Sequence, residues 1–280
     1  AEDAEDYAQY MLEHEEELSP IIEKYRSKAK KARYLDFNQG VDGRKINDEN
    51  MEQLARLAIH PLRIAFDDIK LKDVYCKAVR TAYRHGINQI SNYILFNYKD
   101  KPEDLYERLR VNIELNEELG IQIFSFPMKY SPISETDRTY IGANWCKKSI
   151  RAISAILQVT KGVVAAGSSF FYKAFGNNLE EYHEILAMPR ELIMFRSYFE
   201  ENGITAKWQA LYRQLTDEQK DRLMKLVSLN VSELRNTPWP GDLADILEFY
   251  LLKYSGKTEQ NREKYVQMSL MDDSDVVLED

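Results

Sequence analysis

Polar residues stand directly after several short apolar segments in the first half of the sequence. Carboxylates, amides and an arginine that meet at one place suit a polar, zwitterionic small molecule, because each end of such a ligand finds an opposite charge or a hydrogen-bonding group. The candidate binding residues are Asn38, Asp42, Arg44, Asp67, Asp68, Asn97 and Met128. Whether these residues form one site depends on the strands and helices that position them.

Some of these residues also have a purely local interpretation. An aspartate that precedes a helix often caps it, and Asp68 fits that pattern as well as a binding role. Arg44 can equally be a solvated loop residue. Asn38 and Asp67 directly follow apolar residues of predicted strands, and capping explains them less well.

The sequence predicts no metal site of its own. Its two cysteines, Cys76 and Cys146, do not form a CxxC pair. Glu180 and His183 have the spacing of one half of a di-iron site, but the second copy that such a site needs is absent.

A repeat of about 30 residues organises the first half of the chain. Four apolar runs each contain a phenylalanine, and these phenylalanines are 29, 30 and 30 residues apart: Phe37, Phe66, Phe96 and Phe126. A strand with its crossover helix takes about 30 residues, so the spacing predicts successive βα units and a parallel sheet. Because ligands bind at the carboxyl ends of such strands, the candidate residues should share one rim.

The rest of the sequence has the periodicity of helices. The fold class expected is α/β, a partial (β/α) barrel of about four parallel βα units followed by an α-helical region. The domains expected are 1–135 for the partial barrel with an N-terminal helix, 136–270 for the helical region and 271–280 for an acidic tail. The predicted helices cover 48–58, 70–85, 102–119, 145–160, 178–188, 189–201, 205–229 and 240–255.

Composition narrows the class of partner. The chain has 280 residues and a net charge of -8, which disfavours nucleic acid and anionic membranes as its main partners. No apolar run reaches the roughly 20 residues that span a bilayer. We therefore expect a cytoplasmic protein that acts on a small molecule.

Four ordered motifs give a more specific indication. They are YLDFNQGVDGRKINDENMEQLA, PLRIAFDDIKLKDVYCKAVRTA, NYILFNYKDKPEDLYERLR and FSFPMKYSPI. Together they cover about residues 33–135 and resemble the later strands of the radical S-adenosylmethionine superfamily. The resemblance implies a partial (β/α) barrel that binds S-adenosylmethionine beside a [4Fe–4S] cluster and generates a 5′-deoxyadenosyl radical.

The same resemblance implies roles for single residues. Polar residues at the end of the 62–68 strand would contact the ribose and the methionine moiety of the cofactor, a role that falls to Asp67 and Asp68. The remaining candidates would lie near the cofactor or its adenine: Asn38, Asp42, Arg44, Asn97 and Met128.

The sequence departs from the family in one decisive motif. It contains no CxxxCxxC, and the two cysteines, 70 positions apart, cannot replace it. We therefore expect part of a radical S-adenosylmethionine enzyme that is inactive alone, with the cluster cysteines on a missing N-terminal barrel segment. The alternative is a cluster-free βα binding or scaffold protein that acts through its helical half. An unrelated nucleotide-binding βα domain ranks last, because no glycine-rich turn joins a strand to a helix.

Overall fold

The computed structural model describes residues 2–25, 33–134 and 139–254. The chain divides into two units, residues 1–35 and 36–280. In the first unit, α1 spans Glu2–Glu13 and α2 spans Glu15–Tyr25. Three glutamates open α2, where negative charge is favourable beside the positive end of the helix dipole.

The second unit contains a parallel sheet whose spatial order β1-β2-β3 is also the chain order. Tyr93 pairs with Phe126 in the register of the long central pair. One bridge continues the sheet beyond each edge strand, at Val41 beside β1 and at Val164 beside β3. Within the described residues the strands are β1 (Leu62–Arg63), β2 (Gln89–Phe96) and β3 (Gln122–Lys129).

Among the described residues of this unit, the helices pack on one face of the sheet. Ile90, Ile94 and Phe96 of β2 are buried, whereas the alternate residues Tyr93 and Leu95 are partly exposed. Parallel crossovers are right-handed, so strands placed in chain order carry their helices on the same side. The helices of this half are α3 (Asp48–Ala55), α4 (Lys72–Arg84) and α5 (Pro102–Leu119).

The second half of the unit is helical and shares a hydrophobic core with the sheet. Ile94 and Phe96 belong to the same buried cluster as Phe171, Tyr182 and Trp208. No described helix combines the length and the apolar character needed to cross a bilayer. The helices are α6 (Lys147–Val159), α7 (Ser168–Phe175), α8 (Leu179–Ala187), α9 (Arg190–Met194), α10 (Arg196–Glu201), α11 (Ile204–Gln214), α12 (Asp217–Leu226), α13 (Val231–Asn236) and α14 (Ala244–Glu248).

The predicted α/β class with a parallel sheet is confirmed, and the helix predicted at 102–119 has those bounds. The strand predicted at 34–38 is wrong. Only Leu35 forms a bridge in this segment, and the backbone turns at residues 37–40, where the Gly40 N–H donates to the Phe37 carbonyl (2.8 Å) and Gly40 takes φ 77°. Pairing with β1 occurs later, at Val41.

Three of the predicted helices are interrupted in the structure. The helix predicted at 240–255 is reduced to α14, with a 3-10 turn on either side of it. The helix predicted at 189–201 breaks at Phe195, and the one at 205–229 breaks where Thr216 opens a new capping box. The tail predicted at 271–280 lies outside the described residues, and the boundary predicted after residue 135 stays a prediction.

One lysine is buried inside the helical region without a carboxylate within its hydrogen bonds. Lys148 is 4% exposed. Its Nζ donates to the Leu186 carbonyl (2.9 Å) and the Met188 carbonyl (2.6 Å) at the end of α8. Burial lowers the pKa of Lys148 to about 7.

This burial predicts a specific dependence of stability on pH. The ordinary lysine pKa of about 10.4 applies to the unfolded chain. Between about pH 7 and that value the unfolded state therefore holds more protons at Lys148 than the folded state, and this group's contribution to stability rises with pH. We expect the free energy of unfolding of wild type, measured in urea, to rise relative to that of Lys148→Met between about pH 6.5 and about pH 9. The exposed Lys147→Met is the control, and a wild-type advantage that is constant with pH would contradict the account.

Candidate functional site

A cavity of about 390 Å³ lies on the face of the sheet that the helices leave uncovered. Arg63 lines it from β1, Asp67 lines it from the segment that follows β1, and Tyr93 lines it from β2. The 36–42 loop closes one side with Asn38 and Gln39. Such a volume suits a small metabolite. Its principal side chains are those of Asn38, Gln39, Arg63, Asp67, Tyr93 and Met128.

Arg63 is held by contacts on every side of its guanidinium group. Nε and Nη2 donate to the two carboxylate oxygens of Asp36 (2.7 and 2.8 Å), and Nη1 donates to Ser91 Oγ (3.1 Å). The guanidinium carbon lies 5.2 Å from the ring centre of Tyr93 and 5.8 Å from that of Phe126. Cation–π attraction adds to the ion pair. The Arg63 side chain therefore has one defined position in the cavity wall.

The 36–42 loop is joined to the sheet by a second polar contact. Tyr93 Oη donates to Asn38 Oδ1 (3.1 Å). Together with the Asp36–Arg63 pair, this hydrogen bond holds the loop beside the cavity. The Arg63 hydrogen bonds also keep the pKa of Asp36 below its ordinary value.

Asp67 presents a carboxylate that no described residue binds by a hydrogen bond or ion pair. Buried residues alternate with more accessible ones over 62–67, and Asp67, which is exposed, falls on the same face as the partly exposed Arg63. Burial raises the pKa of the Asp67 carboxyl, and the nearby charge of Arg108 opposes that rise. The group is thus available to a ligand.

Arg108 fixes the backbone beneath this carboxylate. Its side chain is fully buried, and Nη1 donates to the carbonyls of Asp67 and Leu95, both at 2.9 Å. Nη2 donates to Asp100 Oδ2 (2.9 Å), and Nε donates to the Asp104 carbonyl (3.1 Å). One side chain of α5 therefore joins the segment that follows β1 to the end of β2.

Three of the seven predicted binding residues line this cavity: Asn38, Asp67 and Met128. Asp42 and Arg44 instead pair with each other in the loop (Nη2 to Oδ2, 2.7 Å). Asp68 Oδ1 accepts from Lys70 N (2.9 Å), which confirms its capping interpretation.

Asn97 is buried, and its side-chain amide forms three hydrogen bonds with backbone groups. It takes φ 70°, a left-handed conformation that asparagine tolerates. Nδ2 donates to the carbonyls of Tyr130 (3.0 Å) and Tyr140 (3.1 Å), and Oδ1 accepts from Gly142 N (2.8 Å). Its contacts join the end of β2 to the chain beyond β3.

Sequence reasoning missed Arg63, Tyr93 and Asp36. A signal was present for Arg63, because a polar or small residue occupies every second position from Arg63 to Asp67 among buried apolar residues. Such alternation marks the two faces of a strand. Nothing local indicated Asp36, whose partner lies 27 residues away.

The described residues contain no group of three or more histidine, cysteine or acidic side chains arranged to hold a metal ion. Cys76 lies on α4 and packs in the core, and Cys146 accepts from Ser149 N (3.4 Å) at the start of α6. No family model matches the chain, and no curated protein and no solved structure is significantly similar to it. Inference about function therefore rests on the contacts of the cavity.

The contacts of Arg108 predict a large stability effect. We expect Arg108→Met to lower the free energy of unfolding by about 3–5 kcal/mol, because buried carbonyls and Asp100 lose their donor. Arg80→Met is the matched control: its ion pair with Glu118 is exposed, and we expect a loss below about 1 kcal/mol. Equal losses in urea unfolding would show that Arg108 does not hold the strand ends together.

Proposed function

We propose that this chain forms the C-terminal part of a radical S-adenosylmethionine barrel and binds S-adenosylmethionine in the sheet-face cavity. The observation that supports this best is the meeting of Asn38, Asp67 and Met128 in one cavity on the uncovered face. These residues come from three separate motifs of the resemblance.

The strand order of the sheet supports a barrel as the fold of the longer protein. Strands that follow chain order, with helices on one face only, have the arrangement of a (β/α) barrel, whose uncovered face becomes the interior. We take the isolated bridge between Val41 and Ile64 as support for a fourth strand that precedes β1. A partial barrel of four βα units is therefore our proposal for the parent fold.

The chemistry of the cavity suits an elongated zwitterion with a ribose. Arg63 and Asp67 lie on one face four residues apart, which corresponds to about 13 Å along an extended chain. The Asp67 carboxylate can accept hydrogen bonds from ribose hydroxyls, and the Asn38 amide adds a polar contact. Tyr93 and the half-exposed Met128 offer apolar surface to the base or to the carbon chain of the methionine moiety.

The other residues that the resemblance implies receive a different role. Asp42, Arg44 and Asp68 bind neighbours in the sequence, and Asn97 binds backbone groups beyond β3. We therefore propose that none of the four contacts the ligand.

The residues present do not fit a [4Fe–4S] cluster. Such a cluster takes cysteine thiolates, and neither the buried Cys76 nor the capping Cys146 has a second cysteine beside it. We therefore propose that this chain binds the cofactor without cleaving it. The cluster cysteines would belong to an N-terminal barrel segment outside these 280 residues.

Two neighbouring aspartates provide a matched test of cofactor binding. We expect Asp67→Asn to weaken S-adenosylmethionine binding about tenfold or more, because charged hydrogen bonds to the ribose are lost. Asp68→Asn should leave the affinity unchanged, since asparagine caps as well as aspartate. Isothermal titration on both variants decides: equal affinities would contradict a role for this cavity.

The cysteine content predicts the outcome of cluster reconstitution. After anaerobic incubation with iron and sulfide, we expect the 280-residue chain to hold no stoichiometric cluster and to release no 5′-deoxyadenosine from S-adenosylmethionine. Iron analysis and chromatography of the nucleosides measure both. Cleavage of the cofactor by this chain would refute the proposal that cluster cysteines from another segment are needed.

A second candidate is a binding or scaffold protein that acts through its helical half. A larger cavity of about 690 Å³ favours it, lined among others by Cys146, His183 and Lys220. If the chain does not bind S-adenosylmethionine, this candidate is favoured over the first.

A further inference from the structure

We propose that Arg63 is the carboxylate-binding residue of the sheet-face cavity and that Asp36 is an internal occupant which a ligand carboxylate displaces. This inference deepens the proposed function, because it names the group of the ligand that the cavity recognises. It rests on the geometry of one ion pair in the cavity wall.

The two partners of this pair are held very differently. The Arg63 side chain is 13% exposed, bonded to Ser91 and packed over two aromatic rings. The Asp36 side chain is 40% exposed, lies on irregular backbone, and Arg63 is its one side-chain partner among the described residues. The receptor is therefore fixed, while its carboxylate is the part that can leave.

Exchange of one carboxylate for another keeps the bonding of Arg63 intact. The guanidinium group presents two parallel N–H donors, and the planar fork suits any carboxylate equally well. The Asp36 carboxylate is already 40% exposed and is readily hydrated once it leaves Arg63, while the incoming carboxylate takes its place as the partner of the guanidinium group. A ligand gains further contacts with Tyr93 and Asp67 that Asp36 does not make.

The ligand class is thus a small carboxylate with a polar group at its far end. Asp67 would receive hydroxyl or amino hydrogens of that far end, and the rings of Tyr93 and Phe126 would flank the part between. Asp36 then regulates the cavity by competing for its anion subsite.

The same loop contains a matched control. Asp42 binds Arg44 through two oxygens as well, with Nε to Oδ1 at 2.9 Å and Nη2 to Oδ2 at 2.7 Å. Both of these side chains are substantially exposed, at 40% and 65%, and neither lines the cavity. Asp42→Ala thus removes the same charge from the loop without opening the anion subsite.

The test uses the 280-residue chain and three probes in titration calorimetry: S-adenosylmethionine, L-methionine, and 5′-methylthioadenosine, which has no carboxylate. We expect Asp36→Ala to bind the two carboxylate probes about tenfold more tightly and 5′-methylthioadenosine unchanged. Asp42→Ala should bind all three as wild type does. The double variant with Arg63→Gln should lose the gain.

Asp36→Asn keeps the loop contact without the charge and should give a smaller gain in the same direction, which guards against misfolding of the alanine variant. Unchanged affinity for both carboxylates in both variants, with 5′-methylthioadenosine still bound, would overturn this inference and leave the proposed function standing. A gain for L-methionine alone, with neither adenosine compound bound, would support the carboxylate subsite and contradict S-adenosylmethionine as its ligand. No binding of any carboxylate to Asp36→Ala would also overturn the inference.

Discussion

The buried guanidinium of Arg108 is the interaction on which the candidate site depends. A charge without solvent contact is costly unless every donor is satisfied. Here the partners are a carbonyl of the segment that follows β1 and one at the end of β2, together with the Asp100 carboxylate. Because the Asp67 carbonyl is one of them, the same side chain that joins two strands and a helix also fixes where the Asp67 carboxylate stands.

A second constraint decides which surface is open. Strands in chain order with right-handed crossovers bring α4 and α5 to one face, so the other face must be covered by something else or meet solvent. On that face the chain places an arginine, two aromatic rings and a carboxylate instead of a continuous apolar layer. The Asp36–Arg63 and Asn38–Tyr93 contacts then attach the 36–42 loop to it. A polar cavity on a sheet is the result.

Local chemistry made much of this predictable. Helix α5 has the predicted bounds because Pro102 starts it and Gly120, at φ 65°, ends it. Asp67 could be placed at a strand end by the βα repeat alone. Residues 34–38 were less predictable, because a turn at Gly40 overrides their apolar pattern. The role of Arg63 depends on a partner 27 residues away, and no local pattern contains that information.

Binding of S-adenosylmethionine to the uncovered face of the sheet, as we propose, can be followed directly through one methionine. Met128 is 48% exposed in the cavity wall, whereas Met51 is fully buried in the core on the helix-covered side. With ¹³C-methyl-labelled methionine, the account predicts that S-adenosylmethionine shifts the Met128 methyl resonance in a saturable way and leaves Met51 unmoved. A titration in which the Met128 resonance stays fixed while the ligand binds elsewhere would contradict the account.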